Sequence, residues 1–311
     1  MNVKIMTTKT AIFLAAILMS VSAYSLDTDE DADDPKDSTS ETEDAAAESG
    51  AAFDPPHDEH INNTKPVDTH ATGASASDGA SLAEAATDPS AILTQFQNFF
   101  WTTSTSDNKN IANTYLFQAV LPLSKSNVLR PALPLVNTGG PNGKFGMGDL
   151  FLLDIEIRHA KTGAWGFGVA GNIPTATNKQ IGAGKWTAGP TLLYMNKTHP
   201  KDLLGVLAYN LWSYAGDSDR DSVNTFNFQP IWVHHTAWGY WGWTDQLAII
   251  DWEHDNNLTL PVGLRFGTVW QAKTPLKTEI GFYYNVTNND RDSTYGVKFT
   301  ASFIKPHMLN H

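Results

Sequence analysis

The 311-residue chain contains no cysteine. That excludes a disulfide framework and leaves packing, or a closed hydrogen-bonded sheet, to hold an exported fold together. Beyond the N-terminus there is also no apolar run of about 18 residues, so nothing downstream crosses a bilayer as a helix, whereas strands remain able to do so. A basic stripe is missing too. The 33 acidic residues outnumber the 21 Lys plus Arg, and 18 of the acids lie between residues 27 and 90, opposed there only by Lys36 and Lys65. That stretch carries −16; with Lys4 and Lys9 ahead of it, residues 91–311 are left at +2 of the net −12. No nucleic-acid partner is expected, because such binding needs clustered cations facing phosphates.

Signatures of catalysis are absent as well. The chain has no G-x-S-x-G elbow, no H-E-x-x-H and no Ser/His/Asp set that periodicity gathers at one depth. Glu253, His254 and Asp255 come nearest, but successive residues at a strand end point apart, and the chain reads as a non-enzyme without a cofactor. Asp217, Asp219 and Asp221 alternate as calcium-loop ligands do, yet neither the turn glycine nor the closing glutamate follows. A solvated loop suits them better, as it does Asp290 and Asp292. His57, His60 and His70 sit in a segment with nothing to order them, so no metal site is expected. His234 and His235, beside Trp232 and Trp238, suit interfacial anchoring.

What the chain does contain falls into three parts. Lys4 and Lys9, an apolar run from Ala11 to Val21, and the small residues Ser22, Ala23 and Ser25 have the layout of a secretory signal peptide over residues 1–25, cleaved after Ala23 or Ser25. Residues 26–90 are acidic and of low complexity, too poor in apolar surface to offset the entropy of ordering, and are expected to be disordered. Residues 91–311 hold about twelve runs rich in aromatic and β-branched residues, each ended by Gly, Asn, Asp, Pro or Lys.

The runs fall near 94–103, 112–123, 127–136, 148–158, 164–174, 185–196, 203–214, 222–234, 240–252, 258–270, 276–287 and 293–304. Within them apolar side chains alternate with polar ones, as on a strand with two dissimilar faces. Thr278, Ile280, Phe282 and Tyr284 oppose Lys277, Glu279, Tyr283 and Asn285; Phe299 and Phe303 oppose Lys298 and Thr300; Phe151, Leu153, Ile155 and Ile157 oppose Asp154, Glu156 and Arg158. Such a pattern fits a soluble sandwich turned inward or a membrane barrel turned outward. Tryptophans 165, 186, 212, 232, 238, 241, 243, 252 and 270 mostly lie near the run ends, where two headgroup-level girdles would place them, and this favours the barrel. The fold expected is an all-β, transmembrane, antiparallel up-and-down barrel of about twelve strands. Short connections (124–127, 159–164, 197–202, 236–240, 271–275) then lie on the periplasmic side and longer ones (137–147, 175–184, 216–221) outside.

On this reading the lumen is lined by Asp154, Glu156, Arg158, Arg265, Lys277, Glu279, Tyr283, Asn285 and Lys298. They could line a passage or fill the interior as salt-bridged layers, and for most of them a barrel of this size favours the second.

Six stretches carry a family resemblance: "LPLSKSNVLRPALP" (121–134), "GMGDL" (146–150), "IPTATNKQIGAGKWTAGP" (173–190), "NLWSYAGDSDRDSVNTFNFQP" (210–230), "DWEHDNNLTLPVGLRFGTVW" (251–270) and "YYNV" (283–286). From about Asn113 to Pro306 the chain resembles the meta-pathway phenol-degradation family of outer-membrane β-barrel transporters. The resemblance implies a barrel in the bacterial outer membrane that takes up small apolar or aromatic compounds, with membrane lipid, lipopolysaccharide and the barrel assembly machinery as partners. The acidic segment and the tail 307–311, which puts Phe303 rather than the terminus in the role of assembly signal, depart from the family. The function expected is a passive channel. Its rival is a non-transporting scaffold barrel whose acidic periplasmic segment binds a partner.

Overall fold

The computed structural model describes residues 79–104, 109–287 and 294–305. The signal peptide, residues 26–78 with their three histidines, Asp290 and Asp292, and the tail 306–311 lie outside the described residues.

The expected runs form strands because their alternation gives each run two unlike faces, and Gly, Asn, Asp and Pro at the ends supply turns. In chain order they are β1 (Thr94–Ser104), β2 (Ile111–Pro122), β3 (Asn127–Asn137), β4 (Phe145–Met147), β5 (Leu150–Ala160), β6 (Gly163–Ile173), β7 (Lys185–Asn196), β8 (Asp202–Gly216), β9 (Asn224–Thr236), β10 (Gly239–Trp243), β11 (Ala248–Asp251), β12 (Asn257–Thr259), β13 (Pro261–Trp270), β14 (Leu276–Asn285) and β15 (Tyr295–Lys305). Both β10 and β11 pair with β9, so together they make one stave, and β12 with β13 make another; β4 folds back on the end of β3. The result is a closed barrel of twelve antiparallel staves, each paired with its neighbour in sequence. Strand β15 pairs with β1 from Thr94↔Lys305 to Thr103↔Gly296, and β1 pairs onward with β2. Closure leaves no row of unpaired N–H and C=O groups, a condition for any sheet that crosses a bilayer.

Large apolar side chains stand on the outer surface: Trp165, Phe167, Leu192, Phe282, Tyr284 and Phe299 are exposed, while their alternates Ala164, Leu193, Tyr283 and Lys298 are buried. Trp165, Trp238 and Trp270 are exposed at the end with the short turns; Trp186, Trp212 and Trp252 are exposed at the other end. These form two girdles, whereas Trp101 is buried inside. A Phe299→Arg substitution in the middle of the belt is expected to cost about 2–4 kcal/mol in lipid. Urea unfolding of the liposome-inserted protein would measure it, and no loss of stability would mean that this face does not meet lipid.

Strand β5 is turned opposite to the sequence expectation. Leu153, Ile155 and Ile157 are at most 4% exposed and belong to an interior cluster with Leu193, Met195, Val233 and Tyr240. Asp154, Glu156 and Arg158 pair in register with Val169, Phe167 and Trp165, all exposed on the outer face, and so share that face. The charges are tolerated there because they approach the rim: Asn127 next to the β2–β3 turn donates to Asp154 at 2.7 Å, and Arg158 pairs with Glu156 at 3.1 Å.

Residues 79–90 also differ from expectation. The Ala-rich stretch Gly79–Thr87 forms a helix, α1, ended at Asp88–Pro89. Leu82 and Ala86, four residues apart and so on one helix face, pack with Ile304, Leu93 and Val269. Composition alone placed this stretch in the disordered segment; two apolar side chains at helical spacing and a barrel wall to receive them order it.

Candidate functional site

The barrel interior has two unlike walls. From β2 round to β10, inward apolar side chains form one cluster that includes Val120, Val128, Ile155, Met195, Leu211 and Tyr240, and Thr187, Thr191 and Asn227 are buried on the same staves. On β1 and β13 to β15 the inward positions are polar or aromatic: Gln95, Gln97, Phe99, Trp101, Arg265, Lys277, Glu279, Tyr283, Asn285, Lys298, Thr300 and Ser302 are all buried.

Glu279 centres the polar wall. Its Oε2 accepts from the Tyr240 hydroxyl at 2.8 Å and from Arg265 at 2.9 Å, and its Oε1 accepts from Thr300 at 3.2 Å. Arg265 Nε also donates to the Trp243 carbonyl. A Cβ at position 267 would collide with the Tyr240 ring, so Gly267 is what allows that ring to lie against β13. Asp245 comes from residues 244–247, which interrupt the β10–β11 stave; its carboxylate accepts from Lys298 at 2.6 Å and lies 3.8 Å from Arg265. Lys298 also sits 4.4 Å and 4.8 Å over the rings of Phe99 and Trp101, a cation–π arrangement that supports a desolvated ammonium. The β10–β11 break thus reaches past β13 and β14 to a cation on β15, narrowing the interior.

At the short-turn mouth, α1 and the residues after it are tied to the barrel from several sides. The Arg130 guanidinium of β3 donates to the Pro89 carbonyl at 2.6 Å, and Thr87 Oγ1 lies 2.9 Å from His235 Nε2 of β9. Asp88 pairs with Lys197 of the β7–β8 turn and accepts from Ser90 N–H at 2.8 Å. Ile92 packs on the apolar wall, and Leu82 and Ala86 on the β13 and β15 side. A segment touching β3, the β7–β8 turn, β9, β13 and β15 from within spans the mouth.

Of the nine residues expected to line the lumen, the structure brings six inward on β13 to β15: Arg265, Lys277, Glu279, Tyr283, Asn285 and Lys298. Asp154, Glu156 and Arg158 share the outer face of β5 instead, for the reason given above. Asp245, Arg130 and Asp88 were missed, and His235, read as an interfacial anchor, meets Thr87 of α1. Asp245 carried a weak signal, a carboxylate in the midst of an aromatic stave; Asp88 was lost among the acids of the preceding segment.

At the opposite end, loops enclose a cavity of about 240 Å³ lined by Asp149, Pro174, Thr177, Lys179, Asp217 and Arg220 among others. Asp149 accepts from the Ala176 and Ala183 N–H groups, and Arg220 donates to the Lys179 and Gly182 carbonyls. Burial pushes the Asp149 carboxyl above its ordinary range, while those N–H groups and Arg220 pull it back. These bonds staple the 174–184 loop and account for the polar groups without a ligand.

No family model matches the chain, and no curated protein matches it in sequence. Among solved structures, the crystal structure of an outer membrane channel from Pseudomonas putida F1 is similar to it, with a TM-score of 0.50 at 14% identity, covering 68% of this chain and 95% of that one. At that identity the likeness establishes a shared fold: this chain has the barrel architecture of that channel.

Proposed function

We propose that the chain is an outer-membrane channel for small apolar or aromatic compounds. The observation that carries the proposal is the interior itself, where a largely apolar wall faces a polar wall set with Phe99, Trp101 and Tyr283. An aromatic solute could slide on the first while the second orients its polar group. The exposed apolar belt and tryptophan girdles, together with the similarity in fold to an outer membrane channel, support the location. Membrane lipid and lipopolysaccharide then surround the belt, and the barrel assembly machinery inserts it. In the structure the interior is filled by side chains and its short-turn mouth is covered by α1, so passage requires this segment to move.

The test is uptake of a labelled apolar aromatic compound by cells with and without the chain, because the lipopolysaccharide leaflet resists such compounds far better than phospholipid does. Faster uptake with the chain is expected. Equal uptake at limiting concentration would contradict a transport role and favour a scaffold.

A further inference from the structure

One cation of the polar wall is left over. Arg265 is held by Glu279, and Lys298 by Asp245. Both Glu279 oxygens are taken by Tyr240, Arg265 and Thr300. Lys277 is 5% exposed, and its ammonium has neither a hydrogen-bond acceptor nor a carboxylate within salt-bridge distance among the described residues. Three cations thus face two carboxylates on this wall. A buried charge without a close partner is costly, and a fold retains one readily only if something else compensates it.

The row that holds Lys277 is otherwise uncharged. In register, Gln118, Gln97, Ser302 and Lys277 form one inward row across β2, β1, β15 and β14. The two glutamines of the row are already engaged as donors: Gln118 Nε2 donates to Gln97 at 2.7 Å, and Gln97 Nε2 donates to Gln95, two residues along β1, at 3.0 Å. Ser302 Oγ, directly opposite Lys277, is buried and has no partner. Paired positions on one face of a sheet lie about 5 Å apart, so the positions of the ammonium and the hydroxyl are direct neighbours. Val269, on the other side of Lys277 in the same row, offers an apolar wall and is itself packed beneath α1.

We propose that this row is a binding site for the carboxylate of a small organic monoanion, seated just inside the mouth that α1 covers. One surplus positive charge matches a monoanion, since a dianion would leave the wall negative, and the ammonium with the hydroxyl opposite it offers a donor to each oxygen of a planar carboxylate. The site rests on the channel reading for its purpose, and gives the transported class an acid group. A carboxylate from residues 27–78, which hold most of the acids of the acidic segment, has the same chemistry as a free solute.

Equilibrium dialysis of labelled benzoate against the detergent-purified full chain tests the site without reference to flux. Saturable binding of one benzoate per chain is expected, weakened by about tenfold or more in Lys277→Met and less in Ser302→Ala, and kept in Lys277→Arg. Benzyl alcohol, the uncharged counterpart, should bind equally to the native chain and to Lys277→Met. A chain lacking residues 27–78 that binds benzoate more tightly, still through Lys277, would identify the acidic segment as a competing occupant and support the site. Heat-modifiable migration on a gel verifies that each variant is a folded barrel, and Ser302→Ala preserves the test if Lys277→Met does not fold. Equal affinity in the native chain, Lys277→Met and Ser302→Ala, or no saturable binding to either the full chain or the shortened one, would overturn the proposal. Benzoate binding without any uptake of aromatic compounds would instead count against the channel reading and leave the site standing.

Discussion

Removing residues 79–91 is expected to raise the entry of a small sugar such as arabinose into proteoliposomes by on the order of 100-fold. The segment is held by a few contacts of unequal weight. The donation from half-buried Arg130 to the Pro89 carbonyl involves a charged donor and is worth about 1.5–3 kcal/mol. The Thr87–His235 contact adds about 1 kcal/mol. The Lys197–Asp88 pair adds less than about 1 kcal/mol, because the Lys197 side chain is 35% exposed and its charge is screened. A closed state favoured by a few kcal/mol leaves roughly 1% of barrels open, and deletion of the segment removes that bias. Arg130→Met should recover about a tenth of the effect with the segment in place. Swelling rates that do not change on deletion would mean that the interior side chains, rather than α1, close the barrel.

Glu279→Ala is expected to destabilise the barrel by about 3–5 kcal/mol, the largest loss from any single change in the interior. The carboxylate is 2% exposed in its side chain and is the shared acceptor for Arg265, Tyr240 and Thr300, so its removal strands a buried guanidinium and two hydroxyls together. Urea titration followed by tryptophan fluorescence would report the loss. Glu279→Gln, which keeps an acceptor without the charge, should fall between the two. Glu156→Ala on the outer rim is the control: its Arg158 partner is 55% exposed, and the pair is worth no more than about 1 kcal/mol. A loss at Glu279 no greater than at Glu156 would show that the interior network contributes nothing of its own.

The stave boundaries were legible because alternation and turn residues are local signals, and the runs expected at 185–196 and 276–287 are the strands Lys185–Asn196 and Leu276–Asn285 to within two residues. Faces were legible only where the interior is polar. On β14 and β15 the aromatic side is exposed and the charged side buried, so hydrophobicity and orientation agree. On β5 they do not, because the wall opposite is itself apolar and draws Ile155 and Ile157 inward. Strand β6 carried the correct cue: Trp165 and Phe167 alternate with Gly166 and Gly168, and only one of those two sets can face a crowded interior. What stayed hidden was non-local. Asp245 reads as part of a continuous stave until its partner on β15, 53 residues away, is known. Asp88 reads as one more acid of a soluble segment until Lys197 stands beside it.

Everything rests on which side of the wall meets lipid. Because the chain has no cysteine of its own, single cysteines can be placed at positions 164 to 170 of β6, labelled with a fluorophore and exposed to bromine-labelled lipid. Strong quenching at 165, 167 and 169 with little at 164, 166, 168 and 170 is the predicted result. Uniform quenching, or quenching at the even positions, would contradict the barrel's orientation and the interior built on it.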